Sequence, residues 1–369
     1  MQAKKLGFGC MRLPLKVPKI QTSVDKKQVC EMVDSFIENG FTYFDTAYMY
    51  HAFKSESAMR ECLVKRHPRD SFTLADKLPT MMIKFQGEQE RIFESQLKKC
   101  GVEYFDYYLL HCLNESNYKA CKKYSSFEYT AKKKEQGIIK KLGFSFHDNA
   151  ELLDKILTEH PEMDFVQLQI NYLDWNSEKI QSRLCYEVAR KHGKDIVVME
   201  PVKGGALANV PAEAEKLFRQ YNPDASPASW AVRYAASLDG VMMVLSGMSN
   251  MQQLQDNMSY MKDFKPLNNE EYHIINEAVR IINKSISIPC TACHYCTDEC
   301  PQNIEIPKYF ELFNSSDADN AAKQYKELNA EFGKASDCIG CKSCERHCPQ
   351  HLEITKYLKD VANKFEQEV

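Results

Sequence analysis

Eight of the fifteen cysteines crowd into residues 290–348 and repeat one spacing twice. The runs are Cys290-x2-Cys293-x2-Cys296-x3-Cys300-Pro301 and Cys338-x2-Cys341-x2-Cys344-x3-Cys348-Pro349. Thiolates at i, i+3 and i+6 can wrap one iron–sulfur cube, and the fourth, followed by Pro, turns away to ligate a second cube. The expected sets are one [4Fe–4S] cluster on Cys290, Cys293, Cys296 and Cys348, and another on Cys338, Cys341, Cys344 and Cys300. A zinc site prefers two separated C-x2-C pairs per ion, which leaves eight thiolates on two zincs as the lesser alternative. Ile304, Ile306, Leu352 and Ile354 are expected to pack near the clusters and limit water. His294 and His347 lie inside the motifs and read as surface or supporting residues, not ligands. The other seven cysteines (Cys10, Cys30, Cys62, Cys100, Cys112, Cys121 and Cys185) read as ordinary buried thiols.

A second constellation carries proton chemistry. Asp45 and Tyr50 follow one strand-like run, Lys77 ends the next, and His111 ends the one after. A free phenol has a pKa of about 10, too high to trade protons easily at neutral pH. A nearby Lys+ is expected to stabilise the phenolate and lower that value. Asp45 can hold Lys77 by an ion pair, and His111 can hydrogen-bond a substrate oxygen. The set suits reduction of a carbonyl, with hydride going to carbon and the Tyr50 proton to oxygen.

The elements that must position these residues alternate in type. Strand-like runs fall at 6–13, 41–44, 72–75, 105–110, 141–146, 165–170, 195–199 and 241–245. Amphipathic helical patterns such as 25–39, 55–66, 87–99 and 177–191 lie between them, several opening on a Ser, Asp or Asn suited to N-capping. Eight strand–helix units in some 260 residues predict an α/β fold, a (β/α)8 TIM barrel with its chemistry at the C-terminal strand ends. A doubly wound sheet is the alternative, but Gly7-Phe8-Gly9-Cys10-Met11-Arg12 lacks the third glycine of a phosphate fingerprint. One more helix is expected over 268–283. The character then changes: residues 286–369 hold nine Lys/Arg against fourteen Asp/Glu. The expected domains are a barrel over 1–285 and a small α-rich two-cluster module over 286–369. The basic run Lys132-Lys133-Lys134 reads as a solvated helix face.

Composition bounds the rest. The chain has 369 residues, a formal charge of −3 and 44% hydrophobic residues, which excludes a disordered chain. A near-neutral charge argues against nucleic acid as the main partner. No apolar run approaches the ~18 residues of a membrane span. The first ten residues lack the apolar core of a secretory signal, so a cytoplasmic protein with reduced thiols is expected.

The first 265 or so residues resemble the aldo/keto reductases. The resemblance runs through Asp45-x4-Tyr50, Ser55-Glu56, Lys77-Leu78-Pro79, Asp106-x3-Leu110-His111 and Ser246-Gly247-x5-Gln253-Leu254-x2-Asn257. The whole chain resembles the subset with a C-terminal two-cluster module of the bacterial ferredoxin type. The resemblance implies that Asp45, Tyr50, Lys77 and His111 form a catalytic tetrad, with Tyr50 the proton donor. It also implies NAD(P)H across the barrel mouth, with Ser145 and Gln167 on the nicotinamide carboxamide and Ser246, Gly247, Ser249, Gln253 and Asn257 along the pyrophosphate and adenosine. Three positions depart from the family pattern. Ser145-Phe146 stands for its Ser-Asn pair, Met199 for the Tyr that stacks on nicotinamide, and Met248 or Ser249 for the basic residue that reads a 2′-phosphate.

Those departures leave the hydride donor open. Clusters pass one electron at a time, whereas nicotinamide gives two as hydride, and a flavin converts between the regimes. Lys203-Gly204-Gly205 and Ser246-Gly247 could supply N–H groups to an FMN phosphate as readily as to a nucleotide. The leading expectation is an oxidoreductase acting on a small carbonyl-like molecule and exchanging electrons with a ferredoxin or another redox protein. The alternatives are an FMN-containing electron-transfer enzyme that reduces a non-carbonyl substrate, and a non-catalytic redox sensor. Exposed clusters are commonly oxygen-labile, so an anaerobic source is expected.

Overall fold

The computed structural model describes residues 4–18, 20–85, 87–297, 300–315 and 317–366. Eight strands form β1 (Leu6–Gly9), β2 (Tyr43–Asp45), β3 (Thr73–Leu78), β4 (Phe105–Leu113), β5 (Ile139–Phe146), β6 (Phe165–Gln169), β7 (Asp195–Met199) and β8 (Val241–Ser246). They pair in parallel in sequence order, and β8 closes on β1. Closure leaves no free sheet edge. Among the described residues no helix is long and apolar enough to cross a membrane.

Several expected elements shift at their ends. The run at 6–13 keeps only Leu6–Gly9 as strand, and Cys10–Arg12 tighten into a 3-10 turn. The helix expected at 55–66 runs as α-helix only over Ser55–Met59 and continues as the π-helical turn Arg60–Val64. The helix expected at 177–191 begins at Ser182, because Gln181 takes a left-handed φ of 55°. Of the helix starts expected, Asp25 caps as the sequence suggests, whereas Ser55 lies inside its helix and the helix from Ser182 has no side-chain cap. The side chains of Asp25, Asn149 and Asn250 accept backbone N–H groups at the starts of Lys26–Glu38, Ala150–Glu159 and Met251–Met261.

The chain divides into two compact units, Met1–Pro201 with Ala228–Asn268, and Val202–Pro227 with Asn269–Val369. The first contains all eight strands. In the second, helix Ala212–Tyr221 packs against helix Asn269–Ser285, and helices Ile306–Asn314, Ala318–Leu328 and Ile354–Phe365 enclose a separate core.

Strand side chains alternate between the two faces. The inward set forms a plug of Tyr43, Ala75, Leu109, Phe165, Val197, Met243 and Leu245 inside the barrel. Tyr107 joins it, with ring centroids 5.2 Å from both Tyr43 and Phe165. Gly143 is obligatory in this layer: it pairs with Leu109 and Phe165, and a Cβ there would fall 2.4 Å from the Phe165 carbonyl oxygen.

The outward face of β3 buries a carboxyl. Asp76 is fully buried, accepts the Lys77 N–H at 2.8 Å and receives the Cys100 thiol at 3.6 Å. Glu56, equally buried, pairs with Lys99 at 3.0 Å. Burial first, and then the neighbouring Glu56, push the Asp76 carboxyl well above the usual range.

Two outcomes follow from this packing. Gly143→Ala should lower barrel stability by about 2 kcal/mol or more through overpacking against backbone, read as a fall in the thermal unfolding midpoint. Asp76→Asn should stabilise the fold near neutral pH. The unfolded chain releases the Asp76 proton from pH about 4, while the folded chain holds it, so wild-type stability drains as pH rises above that point. Denaturant titrations should show the variant's advantage at pH 7 shrinking towards pH 4; a gap independent of pH would contradict the buried-carboxyl argument.

Candidate active site and cysteine cavities

Two residues further along β2 to β6 the inward series turns from apolar to polar, while β7 carries Met199 there and β8 keeps Leu245. Tyr43 is followed by Asp45, Ala75 by Lys77, Leu109 by His111, Gly143 by Ser145, Phe165 by Gln167, and Val197 by Met199. The two-residue period that fills the plug therefore also aims this second set at the C-terminal rim.

Lys77 is fully buried, and its amine has three acceptors: Asp45 Oδ1 at 2.5 Å, the Thr46 carbonyl at 2.8 Å and the Tyr50 hydroxyl oxygen at 3.3 Å. An ammonium has three N–H donors, so this geometry uses all of them. Tyr50 and His111 meet edge-on with centroids 6.1 Å apart. The structure thus brings together all four residues of the expected proton-handling set.

The electrostatics correct one expectation. Lys77 does not lower the Tyr50 phenol: burial, reinforced by Asp45, pushes it well above its ordinary value. The same burial pushes Asp45 up against the pull of Lys77. His111 is driven well below the ordinary imidazole range by burial and by Lys77, so its ring is neutral at pH 7. The resting site therefore holds a protonated phenol and a neutral imidazole.

Backbone strain marks the same rim. His51, Cys112 and Glu200, immediately after Tyr50, His111 and Met199, take left-handed φ values of 52°, 59° and 58°. Such conformations cost non-glycine residues of order 1–3 kcal/mol each and need support from their surroundings. His51 supplies some: its Nε2 accepts the Leu13 N–H at 3.0 Å. Ser145 Oγ accepts the Cys112 N–H at 2.7 Å. Sequence reasoning missed His51, and nothing in its local pattern distinguishes it.

The expected cofactor residues belong to both units. Gln167 donates to Met199 Sδ at 3.4 Å, and its buried Oε1 has no partner. Ser246 Oγ accepts from Asn257 at 2.7 Å, and Ser249 joins Gln253 through an N–H···Oε1 bond of 2.7 Å. Arg12, which sequence reasoning passed over, lies beside them: its carbonyl accepts from Ser249 at 2.9 Å, and its side chain lies against Gly247. Lys203, Gly204 and Gly205 instead belong to the second unit.

In that unit the cysteines line two cavities. Cys290, Cys293, Cys296 and Cys348 line one, with Ile306, Leu352 and Ile354 in its wall. Cys300, Cys338, Cys341 and Cys344 line the other, with Ile304 and Ile306. Each cavity is closed by three cysteines of one run and the last of the other, in the grouping expected from spacing. The chemistry of the donor set, four thiols around an apolar-walled void, suits an iron–sulfur cube. His294 faces Glu305 at 3.5 Å and His347 the Ser343 carbonyl at 3.0 Å, and neither histidine lines a cavity.

Comparison with known proteins agrees with this architecture. Residues 5–280 match the model of the aldo/keto reductase family, and residues 289–352 match that of a 4Fe-4S dicluster domain. An uncharacterized oxidoreductase of Bacillus subtilis, YqkF, is 21% identical over 294 residues, covering 70% of this chain and 87% of that protein. Among solved structures, the holo form of aldo-keto reductase AKR11C1 from Bacillus halodurans has a TM-score of 0.59 at 22% identity, covering 75% of this chain and 95% of its own. An aldo-keto reductase from Klebsiella pneumoniae in complex with NADPH gives 0.57 at 16%, with the same coverage. At these identities the structural likenesses speak to the fold, whereas the family match spans most of the chain. This chain belongs to the aldo/keto reductase family and is an oxidoreductase whose barrel is followed by a 4Fe-4S dicluster domain.

Proposed function

We propose that the chain reduces a small carbonyl-like substrate, with Tyr50 as proton donor, and exchanges electrons through two [4Fe–4S] clusters with a ferredoxin or another redox protein. The observation that carries the reading is the Lys77 amine bonded to both Asp45 and Tyr50 beside a neutral His111.

His111 donates one imidazole N–H to the substrate oxygen. Tyr50 keeps its proton in the resting site and releases it to that oxygen as negative charge develops there. Lys77 then donates to the phenolate, and Asp45 fixes the amine in place. Water is excluded because Tyr50, Lys77 and His111 are all buried. A bound nicotinamide would supply hydride to the carbonyl carbon. The unpartnered Gln167 Oε1 can accept from its carboxamide, with Ser145 and Met199 beside it. Ser246, Gly247, Ser249, Gln253 and Asn257 would hold the pyrophosphate and adenosine at the N-terminus of helix Met251–Met261.

The clusters would supply one-electron transfer. Cys290, Cys293, Cys296 and Cys348 would hold one, and Cys338, Cys341, Cys344 and Cys300 the other. The domains on this reading are 1–285 and 286–369. A cytoplasmic home, where thiols stay reduced, suits the seven barrel cysteines, all free.

Two measurements test the reading. Against a panel of aldehydes and ketones with NADH or NADPH, Tyr50→Phe should lower kcat/KM by about 10²- to 10⁴-fold, and Lys77→Met similarly. Unchanged turnover in Tyr50→Phe removes the donor assignment, and acid release of a flavin from the purified protein removes the nicotinamide. For the second unit, dithionite reduction under anaerobic conditions should reveal two paramagnetic centres. Cys293→Ser should abolish or alter one centre and Cys341→Ser the other. Zinc in place of iron overturns the cluster assignment.

A further inference from the structure

The two cysteine runs continue alike: Cys300-Pro301-Gln302-x-Ile304-x-Ile306 and Cys348-Pro349-Gln350-x-Leu352-x-Ile354. Gln302 lines the second cavity and Gln350 the first. The structure treats these matching glutamines differently. Gln350 is 4% exposed, and its Oε1 accepts a hydrogen bond from Lys203 Nζ at 3.3 Å; Lys203 is itself 3% exposed. Gln302 is part-exposed, and no lysine donates to its side chain among the described residues.

The neighbouring backbone is fitted to the same wall. Gly204 has a φ of 65°, and a Cβ there would fall 2.2 Å from the carbonyl oxygen of Thr291, another residue lining the first cavity. Lys203 and Gly204 thus both meet residues that line the first cavity.

We propose that Lys203 and Gln350 raise the reduction potential of the cluster held by Cys290, Cys293, Cys296 and Cys348, making it the more easily reduced of the two. The inference rests on the two-cluster reading above. One-electron reduction adds a negative charge to a centre already ringed by four thiolates. Nearby N–H donors and a buried cation stabilise the reduced form more than the oxidised one, and a low dielectric magnifies the difference. Gln350 lines the first cavity, and its amide oxygen is engaged by the buried Lys203. Lys203 is thus a positioning residue that also contributes its own charge.

The test is a dithionite titration of the full-length, anaerobically reconstituted protein, followed by electron paramagnetic resonance, with iron and sulfide assayed in parallel. Lys203→Met and Gln350→Leu should each weaken reduction of one centre about tenfold, a fall of about 59 mV for one electron, and leave the other in place. Combining them should add less than the two single shifts. Lys203→Arg should keep the wild-type value, and Gln302→Leu should move the other centre by less. Unmoved potentials at wild-type iron content, or equal movement of both centres, overturn the proposal. Selective iron loss in all the Lys203 and Gln350 variants overturns it too, assigning the pair to cluster assembly. A wild-type protein with no iron–sulfur signal instead overturns the two-cluster reading beneath it.

Discussion

A buried amine must spend its hydrogen bonds inside the protein. Lys77 has no water to turn to, so Asp45, the Thr46 carbonyl and Tyr50 have to converge on it. Removing one partner of such a pair strands the other charge and costs about 3–5 kcal/mol, so three loops and strands are held in register by one nitrogen. The same contact places an N–H donor on the Tyr50 phenol oxygen. A solvated Lys77 would satisfy its amine with water and would not fix Tyr50 and Asp45 in this arrangement.

The barrel makes that convergence achievable with ordinary residues. Parity along parallel strands gives the plug its aromatic and aliphatic layer, and two residues later gives the rim its polar layer. The strained turns after Tyr50, His111 and Met199 show where regular strand geometry stops serving the site. There the chain leaves the sheet sharply, and at the first two turns backbone N–H groups of Leu13 and Cys112 donate to His51 and Ser145.

The second unit solves a different problem. Its core is small, and Ile306 separates two cavities while lining both. Crossing the fourth cysteine of each run into the other cavity ties the two halves together. The repeat is nearly symmetric in sequence, and its surroundings break the symmetry. Lys203, remote in the chain, reaches Gln350 and not Gln302.

What the sequence alone determined is what depends on local spacing. Strand order, the barrel, the grouping of eight cysteines and the juxtaposition of Asp45, Tyr50, Lys77 and His111 were legible, because alternation and motif spacing act over a few residues. Tertiary structure decided everything that depends on burial or on distant partners. Spacing could not show that Tyr50 would be so desolvated that its phenol rises despite Lys77. Nor could it show that Asp76 would be a buried carboxyl, that His51 would support a left-handed turn, or that Lys203 would donate to Gln350. Desolvation and long-range contact are properties of the assembled fold, set by which segments pack together, and no window of sequence contains them.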